Sequence, residues 1–154
     1  MAAVKAGSKA PKFRIATTGG AFRLGAQGDE YLVVYFYPRD NTPGCTLEGS
    51  DFRDLATAFR KARTRILGIS TDTLESHARF KDKMKFPFEL GSDEDHAVAG
   101  LFGVWKEKNM YGRKMMGIER STFLIDAKGQ IRREWRKVRV KGHAAEVLAA
   151  VREL

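Results

Sequence analysis

The feature that most constrains this chain is the passage from Val33 to Glu48. It opens as an unbroken apolar run and closes on the only cysteine. Tyr31 to Tyr37 reads YLVVYFY, rich in β-branched and aromatic residues with no polar residue alternating through it. A strand apolar on both sides must be covered on both faces, which puts it in the middle of a sheet. Pro38 stops the strand, because it has no N–H to give to the ladder, and Asn41 to Gly44 is turn chemistry. A helix follows. Thr42 is a good N-cap, Pro43 suits the first helical position, and Cys45 falls three residues after the cap. Phe52, Leu55, Ala56 and Phe59 recur at helical spacing, so the helix is predicted to run to about Arg60.

The position of Cys45 has a chemical consequence. The third residue of a helix lies among free backbone N–H groups, at the positive end of the dipole, where an anion is favoured. A capping box places a carboxylate there; this chain places a thiol. A helix N-terminus is one of the environments that promote the thiolate, the reactive form of cysteine. A buried structural cysteine fits the same residue, since cysteine is among the most commonly buried types. Placement alone leaves both readings open.

The rest of the chain supplies a sheet and its covers. Met1 to Ala10 is expected to be a flexible polar arm, without the apolar stretch of a secretory signal. Phe13 to Thr17 and Phe22 to Leu24 alternate about Gly19-Gly20 and read as a hairpin. Ile66 to Ser70 is a second buried strand, and the helix between the two implies parallel pairing. Thr71 to Thr73 starts a helix through Met84, Phe86 to Leu90 is extended, and Ser92-Asp93 caps a short helix through Leu101. Phe102 to Ile118, rich in Lys, Met and Gly, reads as a long irregular loop, and loops of that length are usually functional or mobile. Arg120 to Ile125 and Ile131 to Trp135 form a hairpin, and Gly142-His143 leads into a last amphipathic helix. The 154 residues make a single domain, with no apolar run near the ~18 residues of a membrane span.

A formal net charge of +9 permits a nucleic-acid partner, and basic tracts occur at residues 60–65 and 132–141. No nucleic-acid motif accompanies them, so a solvated basic surface is the default and specific nucleic-acid binding is the rival. His77, His96 and His143 show no metal-ligand spacing, and no metal or other cofactor is expected. One cysteine excludes an internal disulfide and suits a reducing, cytoplasmic compartment.

Two separated segments carry a resemblance. The signature Pro38-x-x-x-Thr42-x-x-Cys45 resembles that of the peroxiredoxins, and its extension from Tyr35 through Glu48 is similar to one branch, peroxiredoxin Q, also called bacterioferritin comigratory protein. Far downstream, Tyr111 to Lys114 and Gly117 to Asp126 resemble the same branch, in matching order and spacing. The resemblance implies a thioredoxin-like α/β fold, with a mixed central sheet flanked by helices and an N-terminal β-hairpin. It implies a thiol peroxidase that reduces hydrogen peroxide and organic hydroperoxides, with Cys45 as the attacking thiol. Thr42 and Arg120 would hold and polarise the peroxide, and Pro38 would shield the thiolate. By residue type alone, Thr42 is a plain N-cap and Arg120 a surface arginine. Glu48 belongs to the matched run with its role open.

The chain departs from the branch at one important place. Many members carry a resolving cysteine five residues after the first, where this chain has Ser50, or in the next long helix, where it has none. Ser50 is either a natural residue or a replacement for that cysteine. The sulfenic acid would therefore need an external thiol, from thioredoxin or from glutaredoxin with glutathione. A monomer without membrane or specific nucleic-acid partners is expected. A thiol-disulfide oxidoreductase on the same fold is disfavoured, because Cys45 lacks the partner of a C-x-x-C pair.

Overall fold

The computed structural model of the chain describes residues 4–154. Its centre is a seven-stranded mixed sheet of order β2-β1-β5-β4-β3-β8-β9, built from β1 (Arg14–Thr17), β2 (Gly20–Arg23), β3 (Tyr31–Phe36), β4 (Thr64–Ser70), β5 (Glu89–Ser92), β8 (Ser121–Ile125) and β9 (Ile131–Trp135). The helices are α1 (Pro43–Asp54), α2 (Ala56–Lys61), α3 (Leu74–Met84), α4 (Ala97–Leu101) and α5 (His143–Arg152). As its composition requires, β3 is central and buried, parallel to β4 on one side and antiparallel to β8 on the other.

Alternation along β3 divides the core. Leu32, Val34 and Phe36 face a cluster with Phe13, Phe102 and Phe123, covered by α4. Val33, Tyr35 and Tyr37 face Cys45, Phe52, Phe59, Phe80 and Val147, contributed by the other four helices. Tyr35 stacks on Phe52 at 4.8 Å between ring centroids, which seats α1 on the sheet.

Three expectations need correction. The cysteine helix does not run unbroken to Arg60: it jogs at Leu55 into α1 and α2. The segment read as an irregular loop is a second, two-stranded sheet, β6 (Trp105–Met110) against β7 (Arg113–Ile118). Tyr111 and Gly112 both have positive φ, 53° and 76°, as a two-residue hairpin turn requires. The arm is tied down from Val4 onward: the Gly7 N–H donates to the Ile131 carbonyl at 2.8 Å, and the Ala10 N–H to that of Gly129 at 2.8 Å. Met1 to Ala3 lie outside the described residues.

Several side chains of the basic tracts are ion-paired. Arg63 pairs with Asp29, Arg133 with Glu153, and Arg136 with Glu134. None of the described helices is long and apolar enough to cross a membrane.

Candidate active site

The site forms where β3 ends. Its antiparallel partner β8 pairs Ser121 with Phe36, so Arg120, one residue earlier, stands beside the loop that Pro38 opens. The backbone of Arg120 is fixed there, its carbonyl accepting the Val138 N–H at 3.0 Å.

Across that loop, α1 begins with extended backbone at Thr42 and Pro43 in the first turn. The Thr42 carbonyl accepts the Thr46 N–H at 2.8 Å, the first bond of the helix. Its side chain does not cap: the hydroxyl donates to the Arg39 carbonyl at 2.9 Å, and none of the first-turn N–H groups is taken up by it. The helix start thus keeps free donors beside the sulfur. Cys45 is 2% exposed.

Arg120 spans this helix start. Its Nη2 donates to Cys45 Sγ at 3.3 Å, and its Nη1 to Glu48 Oε1 at 2.5 Å. The fork of the guanidinium makes this double contact possible. Gly44 makes room for it, since a Cβ at that position would stand 3.2 Å from Nη2. Burial opposes the charge on Arg120, but Glu48 and Cys45 more than offset it and raise its pKa. It is a permanent cation facing the sulfur.

Glu48, whose role the sequence leaves open, lies beside Cys45 and Arg120, 1% exposed. Its Oε2 is buried without a hydrogen-bond partner among the described residues. Burial pushes the carboxyl up to about 7, with Arg120 pulling the other way. The Tyr35 hydroxyl is also held well above its usual range, by burial and then by the charges of Glu48 and Cys45, so it stays neutral. His143 bonds Thr122 through Nε2 at 2.8 Å, and burial pushes it down to about 4. It is no general acid near neutral pH.

A groove of about 740 Å³ runs between the Pro38–Thr42 loop and the β6–β7 hairpin. Pro38 and Thr42 line one side, and Trp105, Met115, Met116 and Ile118 the other. Lys108, also in the lining, has its pKa lowered by burial and by Arg120. The resemblance implies that Pro38 shields the thiolate; in the structure Pro38 lines this groove alongside Thr42.

Behind the loop lies a second cluster that spacing did not reveal: Asp40, Asp72 and His77, with side-chain ligand atoms within 4.8 Å of one another. Asp72 and His77 lie 32 and 37 positions from Asp40, too far for a local motif to include it.

Residues 6–134 match the model of the AhpC/TSA family. The peroxiredoxin Bcp of Xanthomonas campestris is 54% identical over 129 residues, 84% of this chain and 81% of the relative. That of Bacillus subtilis is 45% identical over 152 residues, 98% of this chain and 97% of the relative. Among solved structures, a bacterioferritin comigratory protein of Xanthomonas campestris with alkyl peroxide reduction activity superposes with a TM-score of 0.87 at 49% identity, covering 92% of this chain and 90% of that one. The thioredoxin-like fold expected from the resemblance is the fold found. The chain belongs to the AhpC/TSA family and, within it, to the peroxiredoxin Q or Bcp branch of thiol-dependent peroxidases.

Proposed function

We propose that this chain is a one-cysteine peroxidase in which Cys45 is oxidised to a sulfenic acid and reduced again by an external thiol. The Cys45 thiolate attacks the terminal oxygen of a hydroperoxide. The S–O bond forms as the O–O bond breaks, and the departing oxygen takes a proton to leave as water or alcohol. Sulfur gives up two electrons and the peroxide accepts them. A thiolate from thioredoxin, or from glutaredoxin with glutathione, then displaces water from the sulfenic acid to give a mixed disulfide, and a second thiol frees Cys45.

The observation that carries the reading is the Arg120 fork, held by Glu48 with its other arm on Cys45 Sγ. A cation with several fixed donors is what an oxygen developing negative charge needs. The free N–H groups of the first turn of α1 supply further donors. The Thr42 hydroxyl, donating to Arg39, keeps its lone pairs to accept the peroxide proton. Pro38 contributes a face without an N–H, limiting water at the thiolate. The apolar side of the groove, with Met115, Met116 and Ile118, suits the carbon skeleton of an alkyl hydroperoxide, and we extend to this chain the alkyl peroxide reduction of its Xanthomonas relative. We also place it in a reducing, cytoplasmic compartment, because its cycle consumes thiols.

Mass spectrometry of Cys45 tests the cycle. One equivalent of peroxide should add a single oxygen, and excess peroxide without reductant should give sulfinic and sulfonic forms. Thioredoxin retaining only its attacking cysteine should be trapped on Cys45 as a mixed disulfide. Cys45 unmodified by excess peroxide, with no trapped disulfide to any thiol protein, would make it structural.

A further inference from the structure

The catalytic loop is fastened from behind. Asp40 stands midway between Pro38 and Thr42, and it turns away from the groove into the protein, 7% exposed. Its Oδ1 accepts the Tyr37 hydroxyl at 2.6 Å, and its Oδ2 accepts the Ser76 hydroxyl at 2.8 Å. Oδ2 also lies 2.8 Å from Nδ1 of His77, which is fully buried on α3. The other ring nitrogen, Nε2, is 2.9 Å from the Gly91 carbonyl. Both ring nitrogens are thus within hydrogen-bonding distance of fixed oxygens, which sets the orientation of the ring.

The backbone is fixed too. The Asp40 N–H donates to Asp72 Oδ2 at 2.8 Å, and the Ser70 hydroxyl steadies the same oxygen at 2.5 Å. Next to it, Asn41 adopts a positive φ of 64°, and its Oδ1 accepts from Lys83 Nζ at 2.8 Å. Asp72 lies just before α3, and Ser76, His77 and Lys83 lie on it. Three side chains of α3, together with Asp72 just before it, thus meet two consecutive loop residues. A cation at Asp40, Asp72 and His77 would have to displace hydrogen bonds already made, so the cluster reads as a joint and not as a vacant ligand set.

We infer that the Asp40–Ser76–His77 network is a positioning device: it clamps the Pro38–Thr42 loop to α3 in the shape that peroxide attack needs, and it resists the displacement that a protein thiol needs. The inference rests on the proposed roles of Cys45, Thr42 and Pro38. Buried networks of this kind specify one geometry when every member is satisfied, and a small misplacement of a positioning loop is enough to slow a reaction. The same clamp opposes reduction, because Cys45 is 2% exposed and a partner as large as thioredoxin reaches its sulfur only if this loop gives way. Loosening the clamp therefore moves the two half-reactions in opposite directions, which general destabilisation does not do.

The test uses the full chain and measures the half-reactions separately. One assay follows peroxide consumption in a single turnover; the other follows reduction of preformed sulfenic acid by thioredoxin. His77→Leu and Asp40→Ala should each slow the peroxide step about tenfold or more and speed the reduction step. The double variant should cost little more than either single one, because the pair acts as a unit. Asp40→Asn should restore both rates: its amide oxygen can accept from Tyr37, and its NH₂ can donate to His77 Nδ1 and to Ser76. Ser76→Ala, a milder loss, keeps the test open if the larger changes prevent folding, and should move both rates in the same senses by less. Folded variants with parental rates, or both rates falling together, would overturn the inference. A parent chain that forms no sulfenic acid would instead overturn the reading of Cys45, and the clamp with it.

Discussion

Replacing Arg120 with lysine keeps the charge and removes the fork. The guanidinium reaches Glu48 Oε1 with one arm and Cys45 Sγ with the other, at 2.5 and 3.3 Å. An ammonium on a four-carbon stem is a point donor that can serve one of these partners at such distances, not both. Glu48 wins. Its carboxyl is buried with one oxygen unpartnered among the described residues, and stripping a buried pair of one partner costs about 3–5 kcal/mol, whereas sulfur is a weak acceptor. The sulfur therefore loses its donor, and the developing charge on the departing oxygen loses its clamp. Removal of one oxyanion donor costs roughly 10²–10³ in rate, about 2.7–4 kcal/mol.

Arg120→Lys should accordingly lower the second-order rate constant with peroxide by ~10²-fold or more. Competition with a haem peroxidase for limiting hydrogen peroxide reads this directly. The thermal midpoint should stay near that of the parent, because Glu48 keeps a cation. Arg120→Met removes both arms and should lose stability as well, because Glu48 must then either take up a proton or stand unpaired in a buried site. Near-parental peroxide kinetics in the lysine variant would refute the argument, because they would mean that the second arm contributes nothing at the reacting atoms.

Other perturbations separate activity from stability. Cys45→Ser should abolish turnover while the far-ultraviolet circular dichroism is unchanged, because a serine hydroxyl is not ionised near neutral pH; measurable turnover would remove Cys45 as the nucleophile. Gly44→Ala should slow the peroxide step about tenfold by pushing the Arg120 guanidinium aside, since the added Cβ would stand 3.2 Å from Nη2. Its thermal midpoint should not fall, because alanine is the better helix former, so parental kinetics would show that Arg120 needs no such clearance. His143, pushed down to about 4 from 6.5 by burial, binds fewer protons folded than unfolded across that window. Its contribution is fully present above pH 6.5 and is lost as the pH falls towards 4, about 3 kcal/mol in all. Glu48, raised to about 7, works in the opposite sense over much of the same range, so urea unfolding of His143→Gln should be compared with the parent at pH 7 and pH 4. An unchanged pH dependence would show that His143 is not held neutral.

What was legible in the sequence followed burial. β3 announces itself because both of its faces are covered, so nearly every residue is apolar, and the start of α1 is written in Thr42 and Pro43. The jog at Leu55 leaves no such mark, since the apolar spacing continues across it. The β6–β7 hairpin was misread because it stands off the main sheet: Lys, Asn and Met serve there as well as β-branched residues, and only Gly112 hints at the turn, while Tyr111 gives no sign of its positive φ. Thr42 was half legible, its backbone starting the helix and its hydroxyl turned to Arg39. Glu48 was hidden for a different reason. Carboxylates are almost never buried unless paired, and its partner is 72 residues away. Asp40 and His77 pose the same problem at a separation of 37. Local pattern carries the scaffold, whereas the site is assembled from contacts that only the sheet order creates.

On the proposed cycle, this assembly sets the two half-reactions against each other. Hydroperoxides are far smaller than a protein thiol and need only a small opening to the sulfur, so everything that fixes Pro38, Thr42 and Arg120 speeds their attack. A protein thiol needs a larger one, and the same contacts stand in its way. A resolving cysteine inside the helix would supply a partner within the chain, although the first turns would have to unwind for the two sulfurs to meet; Ser50 occupies that place, and its hydroxyl is spent on the Thr46 carbonyl at 2.8 Å. The sulfenic acid must therefore wait, buried, for a partner from outside, while further peroxide can still reach it. The longer the loop stays closed, the larger the fraction of Cys45 that proceeds to the sulfinic form. The ratio of overoxidation to turnover is thus a direct measure of how firmly the loop is held. It should fall in any folded variant that opens the loop, even where the peroxide step itself is slowed.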